Sequence, residues 1–510
     1  MPGTGNTTVP SAPEAPSSSS HSSSPGRLVL ALFLAQSYHQ PERVGEVALF
    51  DSNDPSPFIV GREDVGDPPR VHLFQIRPGQ TVDGGPLTGR NISRRQFDIT
   101  VEGDALRVVN LGSARALANG IDIPPAASVL LRPGAILEVF GNCVLLVGLS
   151  PLSLPPARLL PLFPFGEADR QGLVGESWRM HQLREDLVLA APSGRHVFIY
   201  GESGTGKDPV ARAIHALSPR CDGPFVAANS ASFTAELAAL ELFGNPRSYP
   251  NPGTPERKGY FAEAKGGTLF LDELGEVLAA VQAPLLRALD GSYNRVGDPV
   301  SRPTACVVIV ATNRGPEGLK HDILPRLGVT VHTPSLAERR EDTPQLVRAL
   351  LLRRADADPT FAKAFVRHDA GGWRYVEVDA SLIVGLLRSP LPGNVRDVDK
   401  ILTMAIAASR GQSPLRWPAR LVLPPPEPLE MATEPPAPPP PPVAPPAEPS
   451  APDVDALVEG IRGAPKPSKT RVHRALDDNY WDFEKAAAAL GISVDQLYRL
   501  RVKYGLLKPE

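Results

Sequence analysis

Short apolar runs alternate with turn-forming residues between residues 27 and 150. Phe58–Val60, Gln96–Val101, Leu106–Val109 and Cys143–Val147 are such runs, and Gly, Asp and Pro separate them. Runs of this length, bounded by such residues, are typical of β-strands. The pattern therefore predicts an all-β N-terminal piece.

The pattern changes after residue 173, where segments with a helical period alternate with short apolar runs. Three of these runs, His196–Tyr200, Thr268–Leu271 and Cys306–Val310, have the length of buried strands. Strands that alternate with helices favour a parallel sheet flanked by helices, so residues 173–420 are predicted to form an α/β domain. Residues 463–510 predict a short all-α piece.

Segments with few apolar residues separate the three predicted domains. Residues 1–26 are rich in Ser, Pro and Gly, which predicts a disordered tail. Residues 151–172 contain several prolines and are predicted to be a linker. Residues 421–462 are predicted to be a stiff, extended linker, because about half of the residues between Pro424 and Pro452 are proline.

The composition narrows the classes of protein that remain. The chain has 510 residues, of which 42% are hydrophobic and 21% charged, enough for about three domains. The longest apolar run, Leu28–Ala35, is too short to span a bilayer and lacks a basic start, so we expect a buried strand, no membrane partner and a cytoplasmic location. Cys143, Cys221 and Cys306 are too far apart in sequence to indicate a disulfide framework or a metal motif. The net charge of −3 means that any nucleic-acid binding must be local.

A glycine-rich segment follows the predicted strand at His196–Tyr200 and precedes a helical pattern at Val210–Leu217. Its residues are Gly201, Glu202, Ser203, Gly204, Thr205, Gly206, Lys207 and Asp208. Strand, loop and helix in this order are the context of a phosphate-binding loop, whose backbone N–H groups and lysine hold phosphate oxygens. The alternative is a glycine-rich turn with a chance lysine, which the flanking strand and helix disfavour. The segment therefore predicts binding of a nucleoside triphosphate.

Two carboxylates end another predicted strand, in the run from Gly266 to Glu273. Asp272 is expected to hold Mg²⁺, directly or through water, and Glu273 to polarise the attacking water as a general base. A third strand ends at Asn313, which places an amide near the γ-phosphate. A solvated acidic turn is the alternative for the two carboxylates, and it is weaker beside a phosphate-binding loop.

These motifs occur together and in this order in one family. Residues 173 to about 410 resemble the AAA+ domain of sigma-54-dependent transcriptional activators, the bacterial enhancer-binding proteins. The Gly-Gly-Thr-Leu-Phe-Leu-Asp-Glu strand is identical, and the phosphate-binding loop differs by having Asp208 in place of Glu. The Pro-Gly-Asn-Val-Arg helix start is unchanged at Pro392–Arg396. The resemblance implies an α/β P-loop NTPase with an α-helical lid that hydrolyses ATP with Mg²⁺.

The resemblance also assigns roles to residues outside the two central motifs. It implies that Arg396 senses the nucleotide and that Asn229 restrains Glu273. It implies as well that Val174 and Gly175 begin the adenine pocket.

One loop departs from the family. Members carry Gly-Ala-Phe-Thr-Gly-Ala, which contacts the sigma factor, whereas the six corresponding residues here read Ser-Tyr-Pro-Asn-Pro-Gly at 248–253. Gly244 and Gly259 frame the usual number of residues, so the loop keeps its length while its chemistry is replaced. Contact with RNA polymerase containing sigma-54 therefore stays open at this point.

The family's paired arginines correspond to Lys320 and Arg326. Such residues reach into a neighbouring subunit's site, so the resemblance implies a homo-oligomeric ring. Lysine keeps the charge but lacks the planar fork that grips phosphate, which predicts slower hydrolysis. A solvated basic face is the alternative for both residues.

The N-terminal piece resembles a forkhead-associated domain, a β-sandwich that binds phosphothreonine. The resemblance rests on Gly61-Arg62, on Ile92-Ser-Arg-Arg95 and on Asn119-Gly120, although Gln96 stands where the family has His. It implies a phosphopeptide site, and hence regulation by a kinase, at Arg62, Ser93, Arg94, Arg95 and Asn119. A purely structural sandwich is the equal alternative.

The C-terminal piece resembles a Fis-type helix-turn-helix, with an alanine-rich helix from Phe483 to Leu490 and a turn at Gly491. The following helix has Ser493 as a plausible N-cap and presents polar and basic residues that can enter a major groove. We expect contact with DNA, at an enhancer-like upstream site, from Ser493, Gln496, Tyr498, Arg499, Arg501 and Lys503. A small helical dimerisation bundle is the alternative.

The sequence thus predicts a DNA-binding transcription regulator with an ATP-hydrolysing domain. Three hypotheses stay open: an ATPase that remodels sigma-54 RNA polymerase under forkhead-associated control, a nucleotide-binding regulator or repressor that acts on another partner, and a phosphopeptide-gated scaffold with negligible ATPase.

Overall fold

The computed structural model describes residues 26–53, 58–62, 70–89, 91–157, 163–234, 237–273, 278–315, 322–369, 371–425, 430–431, 472, 475–476, 483–490 and 497. The chain divides into two compact units, Met1–Thr433 and Glu434–Glu510. In the described part of the chain, no helix combines the length and the apolar character needed to cross a membrane.

The N-terminal part of the first unit is built of antiparallel strands. In the described residues these are β1 Leu28–Ser37, β2 Val47–Phe50, β3 Phe58–Val60, β4 His72–Arg77, β5 Gln80–Pro86, β6 Phe97–Glu102, β7 Ala105–Asn110, β8 Ala116–Ala118, β9 Ile121–Ile123, β10 Ser128–Leu131, β11 Ile136–Val139 and β12 Cys143–Pro151. One sheet has the order β5-β4-β2-β1-β12-β11-β8-β9, and the second contains β10-β7-β6-β3. The predicted β-rich N-terminal piece is confirmed.

Strand β1 explains why its sequence is a continuous apolar run. Leu30, Leu32 and Leu34 lie in the core between the two sheets. Ala31 and Phe33 point the other way, into a second core shared with helices of the middle domain. Successive side chains of a strand face opposite sides, so a strand buried on both faces is apolar throughout.

The middle part has a parallel five-stranded sheet with the order β14-β15-β18-β13-β19. The elements from residue 178 to 332 are α1 Trp178–Ala190, β13 Val197–Tyr200, α2 Lys207–Leu217, β14 Phe225–Asn229, α3 Ala238–Phe243, α4 Tyr260–Glu263, β15 Thr268–Asp272, α5 Leu278–Leu289, β16 Ser292–Asn294, β17 Ser301–Pro303, β18 Val307–Thr312 and β19 Val329–His332. The prediction of an α/β domain with a parallel sheet is confirmed.

Helices dominate the last part of the first unit. They are α6 Thr343–Ala357, α7 Pro359–Phe365, α8 Ala380–Arg388 and α9 Val395–Ser409, joined by the short strands β20 Val366–His368 and β21 Arg374–Val376. The two-residue strand β22, Glu430–Met431, adds to β10 at the edge of the second N-terminal sheet. We call α6 to α9 the lid helices.

A buried ion pair joins the N-terminal sandwich to the middle domain. Arg77 on β4 binds Glu176 with two guanidinium nitrogens, and the side chain of Glu176 is 4% exposed. Burial on its own raises the pKa of Glu176, but hydrogen bonds from His181 and Arg77 outweigh it and lower the pKa. Phe163, in the predicted linker, covers the Arg77 guanidinium at 4.8 Å. The sandwich is therefore fixed against the middle domain by charge as well as by apolar packing.

The second unit contains α10, Phe483–Leu490, as the sequence predicts. A small core there includes Val472, Leu476, Ala486 and Leu497. Alanines at this core let neighbouring segments approach closely.

Candidate nucleotide-binding site

The loop that is predicted to bind phosphate connects β13 to α2. Gly204 and Gly206 have φ values of 76° and 100°, which favour glycine, and Gly206 is the residue before the helix begins at Lys207. A Cβ on Gly204 would lie 2.1 Å from the carbonyl oxygen of Gly393, so the lid packs directly on the loop. The loop thus ends at a helix N-terminus, an arrangement whose backbone N–H groups and dipole favour an anion.

Lys207 is held inside this loop. Its Nζ donates hydrogen bonds to the carbonyl oxygens of Gly201, at 2.9 Å, and Glu202, at 3.0 Å. Burial lowers the pKa of Lys207, while the charges of Asp272 and Glu273 oppose that shift. A half-buried ammonium beside two carboxylates fits a Mg²⁺-bound triphosphate, since it can exchange carbonyl oxygens for phosphate oxygens.

Asp272 and Glu273 lie where β15 ends. Burial raises the pKa of Asp272 above its usual value, and the charge of Lys207 only partly offsets this rise. Glu273 has a φ of 55°, and its backbone N–H donates to Asp272 Oδ1 at 3.0 Å. Among the described residues no group of three or more His, Cys, Asp or Glu side chains could hold a metal. One carboxylate with substrate phosphates and water is, however, a usual Mg²⁺ environment, and Asp272 fits it.

The sheet brings the two predicted asparagines to this edge. Asn229 pairs with Asp272 in the register of β14 and β15. Asn313 directly follows Thr312, whose carbonyl oxygen accepts from the Gly201 N–H at 3.3 Å. Carboxyl ends of parallel strands share one edge of a sheet, which explains how residues so far apart in sequence meet.

Arg396, the predicted nucleotide sensor, lies beside the loop at the start of α9. It lies in the first turn of α9, and its Nη1 donates to Ser203 Oγ at 2.9 Å. The cation therefore stands beside the loop that is predicted to bind phosphate.

Asn394 is a residue of the site whose role the sequence analysis missed. It is fully buried, donates to Glu202 Oε2 and to the Ser203 carbonyl oxygen at 3.0 Å each, and accepts from the Leu336 N–H at 2.7 Å. Its φ of 52° and ψ of −125° lie outside the left-handed helical region that asparagine commonly adopts, so these hydrogen bonds hold a strained backbone in place. The signal was present in the Pro-Gly-Asn-Val-Arg motif, but the motif alone does not show which residue joins lid and loop.

Replacing Asn394 by Ala is expected to lower the free energy of unfolding by about 2–3 kcal/mol, because the Leu336 N–H loses a buried acceptor. Chemical denaturation of the full chain measures this. Asn251→Ala, at an exposed position of the 248–253 loop, is the matched control and should change stability by less than about 0.5 kcal/mol. Equal effects of the two substitutions would contradict the assigned role.

The residues that directly follow Val174 and Gly175 are held by a buried acidic residue that sequence reasoning also missed. Asp342 accepts hydrogen bonds from the backbone N–H groups of Glu176 and Ser177, both at 2.8 Å. A Cβ on Gly175 would lie 2.5 Å from Asp342 Oδ2. Arg339 donates to the Val174 carbonyl oxygen at 3.2 Å. The predicted start of the adenine pocket is thus fixed to the segment that leads into the lid helices.

Of the two residues predicted to act as arginine fingers, the structure describes only Arg326. Lys320 lies outside the described residues. Arg326 is partly exposed, and its Nε donates to Asp290 Oδ1 at 2.7 Å. The charge at 326 is therefore held at the surface by an acidic residue at the end of α5.

The loop that departs from the family is folded on itself. Asn245 and Arg257 exchange backbone hydrogen bonds at 3.0 and 3.1 Å, which closes its base. The Asn245 side-chain amide donates to the carbonyl oxygen of Tyr249 at 3.0 Å. The ring of Tyr249 packs on Gly297, where a Cβ would lie 2.4 Å from it. The loop is therefore tied to its own base and to the segment after β16.

Three of the residues that are predicted to bind a phosphopeptide, Arg62, Ser93 and Arg94, form hydrogen bonds with adjacent loops. The Arg62 N–H donates to the Ser93 carbonyl oxygen at 3.2 Å, and the Ser113 N–H donates to Ser93 Oγ at 3.0 Å. The Arg94 carbonyl oxygen accepts from Arg70 Nε at 2.6 Å. Backbone of these loops thus meets at one end of the sandwich.

The other two predicted residues have local roles. Arg95 forms an ion pair with Asp98. Asn119 is 7% exposed, and its Oδ1 accepts from the Ile136 N–H at 2.8 Å, so it supports the turn between β8 and β9. Gln96, at the family's histidine position, is fully buried and donates to Asn110 Oδ1 at 2.9 Å.

The predicted DNA-contacting residues lie outside the described residues: Ser493, Gln496, Tyr498, Arg499, Arg501 and Lys503. Leu497, between them in sequence, is helical and buried.

Comparison with known proteins points to the middle domain. Residues 173–324 match the family described as Sigma-54 interaction domain. The transcriptional regulatory protein ZraR of Salmonella typhimurium is 34% identical over 257 residues, which cover 49% of this chain and 55% of ZraR. The Nif-specific regulatory protein of Bradyrhizobium diazoefficiens is 33% identical over 389 residues, which cover 69% of this chain and 62% of that protein. The chain thus spans little more than half the length of ZraR.

A solved structure is also similar. NtrX from Brucella abortus in complex with ATP is 27% identical, with a TM-score of 0.41 and coverage of 66% of this chain and 69% of that one. Residues 173–324, in the α/β part of the chain, are therefore similar to the Sigma-54 interaction domain, and the chain is similar to proteins named as a transcriptional regulatory protein and a Nif-specific regulatory protein.

Proposed function

We propose that the protein is a DNA-bound transcription regulator that binds and hydrolyses ATP. The observation that carries the proposal is the convergence of Lys207, Asp272 and Glu273 at one edge of the sheet, with Arg396 donating to Ser203 in the same loop. Two cations and two carboxylates around a glycine-rich loop are the groups that phosphoryl transfer needs.

Each residue has a separate task in this proposal. Lys207 and Arg396 neutralise phosphate charge, and the glycine loop orients the phosphates through its N–H groups. Glu273 accepts a proton from the attacking water at its carboxylate. Asp272 would hold Mg²⁺, which supplies charge neutralisation at the phosphates when bound.

The proposed partner is RNA polymerase that contains sigma-54, because residues 173–324 match the domain named for that interaction. An assembly of several chains is part of the same proposal: the partly exposed Arg326, which contacts Asp290 and Asp322 of its own chain in this structure, would reach the nucleotide of a neighbouring chain. ATP hydrolysis in such a ring requires a cation from a neighbouring chain.

The replaced loop supports a second candidate function. Tyr249 is 37% exposed, while Asn245 and Gly297 hold its backbone and ring in place. A loop fixed in this way presents a tyrosine and prolines where the family presents Gly-Ala-Phe-Thr-Gly-Ala. The alternative function is therefore that of a regulator or repressor that binds ATP and acts on another partner.

An assay of transcription from a sigma-54 promoter distinguishes the two candidate functions. The first function predicts open-complex formation that requires ATP hydrolysis and this protein. A variant in which residues 248–253 read Gly-Ala-Phe-Thr-Gly-Ala is the matched control. No open complex with the natural chain, together with activity of the variant and equal ATPase of both, would favour the second function and contradict the first.

In this proposal the N-terminal domain binds a regulatory peptide and the C-terminal domain binds DNA. The loops at Arg62, Ser93 and Ser113 meet at one end of the sandwich, which supports a phosphothreonine peptide as a regulatory ligand. Helix α10 and the core around Ala486 and Leu497 support a helix-turn-helix that binds DNA. A DNA-binding regulator of this kind would act in the cytoplasm.

A further inference from the structure

Thr333 lies beside the loop at residues 201–207, although it is far from that loop in sequence. It directly follows β19, which runs parallel to β13 with His332 opposite Tyr200. Its side chain is fully buried, and its N–H donates to the Tyr200 carbonyl oxygen at 2.9 Å. Two neighbouring parallel strands thus bring Thr333 to the start of the loop, because their carboxyl ends share one edge of the sheet.

Thr333 packs tightly on the first residue of the loop. A Cβ on Gly201 would lie 2.1 Å from Thr333 Oγ1 and 2.5 Å from the Thr333 carbonyl oxygen. The Gly201 carbonyl oxygen accepts a hydrogen bond from Lys207 Nζ at 2.9 Å. The Thr333 side chain therefore contacts the residue whose carbonyl group holds the lysine of the loop.

A pair of hydroxyl groups extends this contact into the middle of the loop. Thr333 Oγ1 lies 3.1 Å from the Tyr200 carbonyl oxygen and 2.9 Å from Thr205 Oγ1. Thr205 is 6% exposed, and its Oγ1 lies 2.9 Å from the Glu202 carbonyl oxygen. The two threonines thus link the end of β13 to the loop through side chains that water hardly reaches.

The two hydroxyl groups can bond to each other in either direction, since each carries one proton and can also accept. When Thr333 donates to the Tyr200 carbonyl oxygen, Thr205 donates to Thr333. When Thr333 instead donates to Thr205, the Thr205 hydroxyl donates to the Glu202 carbonyl oxygen. That oxygen then keeps a donor even when Lys207, whose Nζ donates to it at 3.0 Å, turns to a phosphate group. The link between the two side chains is present in both arrangements.

From these contacts we infer that Thr333 is a positioning residue for ATP. Its hydroxyl fixes Thr205, and through it residues 201–205, in the conformation that receives the phosphates. A loop that is already held in its binding conformation loses less conformational freedom when the ligand binds, which tightens the complex. The inference rests on the proposed ATPase function and deepens it, and it gives Thr333 no part in the chemical step.

Steady-state ATP hydrolysis by Thr333→Val tests this inference, because valine keeps the branched shape and removes the hydroxyl. We expect the KM for ATP to rise about fivefold, the effect of one hydrogen bond, while kcat stays within about twofold. Thr333→Ser keeps the hydroxyl and should restore the natural KM to within about twofold. Thr330→Val, at an exposed position of β19, is the matched control and should change neither quantity.

A double substitution tests the bond between the two hydroxyl groups. Thr205→Val should raise KM at least as much as Thr333→Val does. The double variant should raise it no further than Thr205→Val alone, because either substitution removes the same bond. Thermal unfolding without nucleotide checks that each variant is folded, and Thr333→Ala takes the place of Thr333→Val if that variant is not.

Three results would overturn the inference and leave the ATPase function standing. They are an unchanged KM in the folded Thr333 variant that lacks the hydroxyl, a Thr333→Ser protein no better than that variant, and effects on KM that multiply in the double variant. A natural chain that does not bind ATP would overturn the inference and the proposed function together.

Discussion

Glu273→Gln is expected to lower the rate of ATP hydrolysis by the full chain about a thousandfold. Glutamine keeps the size of the side chain but cannot accept the proton of the attacking water. Nucleotide affinity should stay within about threefold, because the hydrogen bonds of Lys207 and Arg396 are made elsewhere in the loop. Steady-state hydrolysis and calorimetric titration with ATP measure the two effects.

Glu263→Gln is the matched control for this substitution. Glu263 is an exposed carboxylate on α4, so its replacement should leave both quantities unchanged. A Glu273→Gln protein that hydrolyses ATP at the natural rate would show that Glu273 is not the general base. A protein that also lost nucleotide binding would assign Glu273 to binding instead.

Lys207→Ala is expected to weaken ATP binding about a hundredfold, since the charge-assisted hydrogen bonds to phosphate are lost. Hydrolysis should fall in parallel because the site stays empty at ordinary ATP concentrations. Calorimetric titration gives the affinity, and thermal unfolding without nucleotide checks that the fold is retained.

Lys265→Ala removes an exposed lysine that precedes β15 and serves as the control for charge. It should bind ATP as the natural chain does. Unchanged affinity in a folded Lys207→Ala protein would contradict the assignment of residues 201–207 as a phosphate-binding loop.

Local patterns allowed the sequence to predict most of the secondary structure around the site. Strand β13, the glycine loop and helix α2 are adjacent in the chain, and turn chemistry and hydrophobic period specify each of them. For β1 the sequence predicts that the strand is buried, but not which elements cover its two faces, because a continuous apolar run does not identify its neighbours.

Contacts between distant residues were harder to predict. Arg396 lies 193 residues after Ser203, and its role was predicted only because the motif around it is similar to that of a known family. The hydrogen bond from Gln36 to Val378 spans 342 residues, and nothing in the local sequence of either residue indicates it. Likewise, pairing of Arg77 with Glu176 depends on how the sandwich packs against the middle domain.

The central claim is that ATP is bound at residues 201–207 and hydrolysed beside Asp272 and Glu273 in an assembly of chains. The rate of ATP hydrolysis per chain, measured as a function of protein concentration, tests it most directly. The account predicts a rate that rises with concentration as chains supply cations to one another's sites. Absence of hydrolysis at every concentration would contradict it.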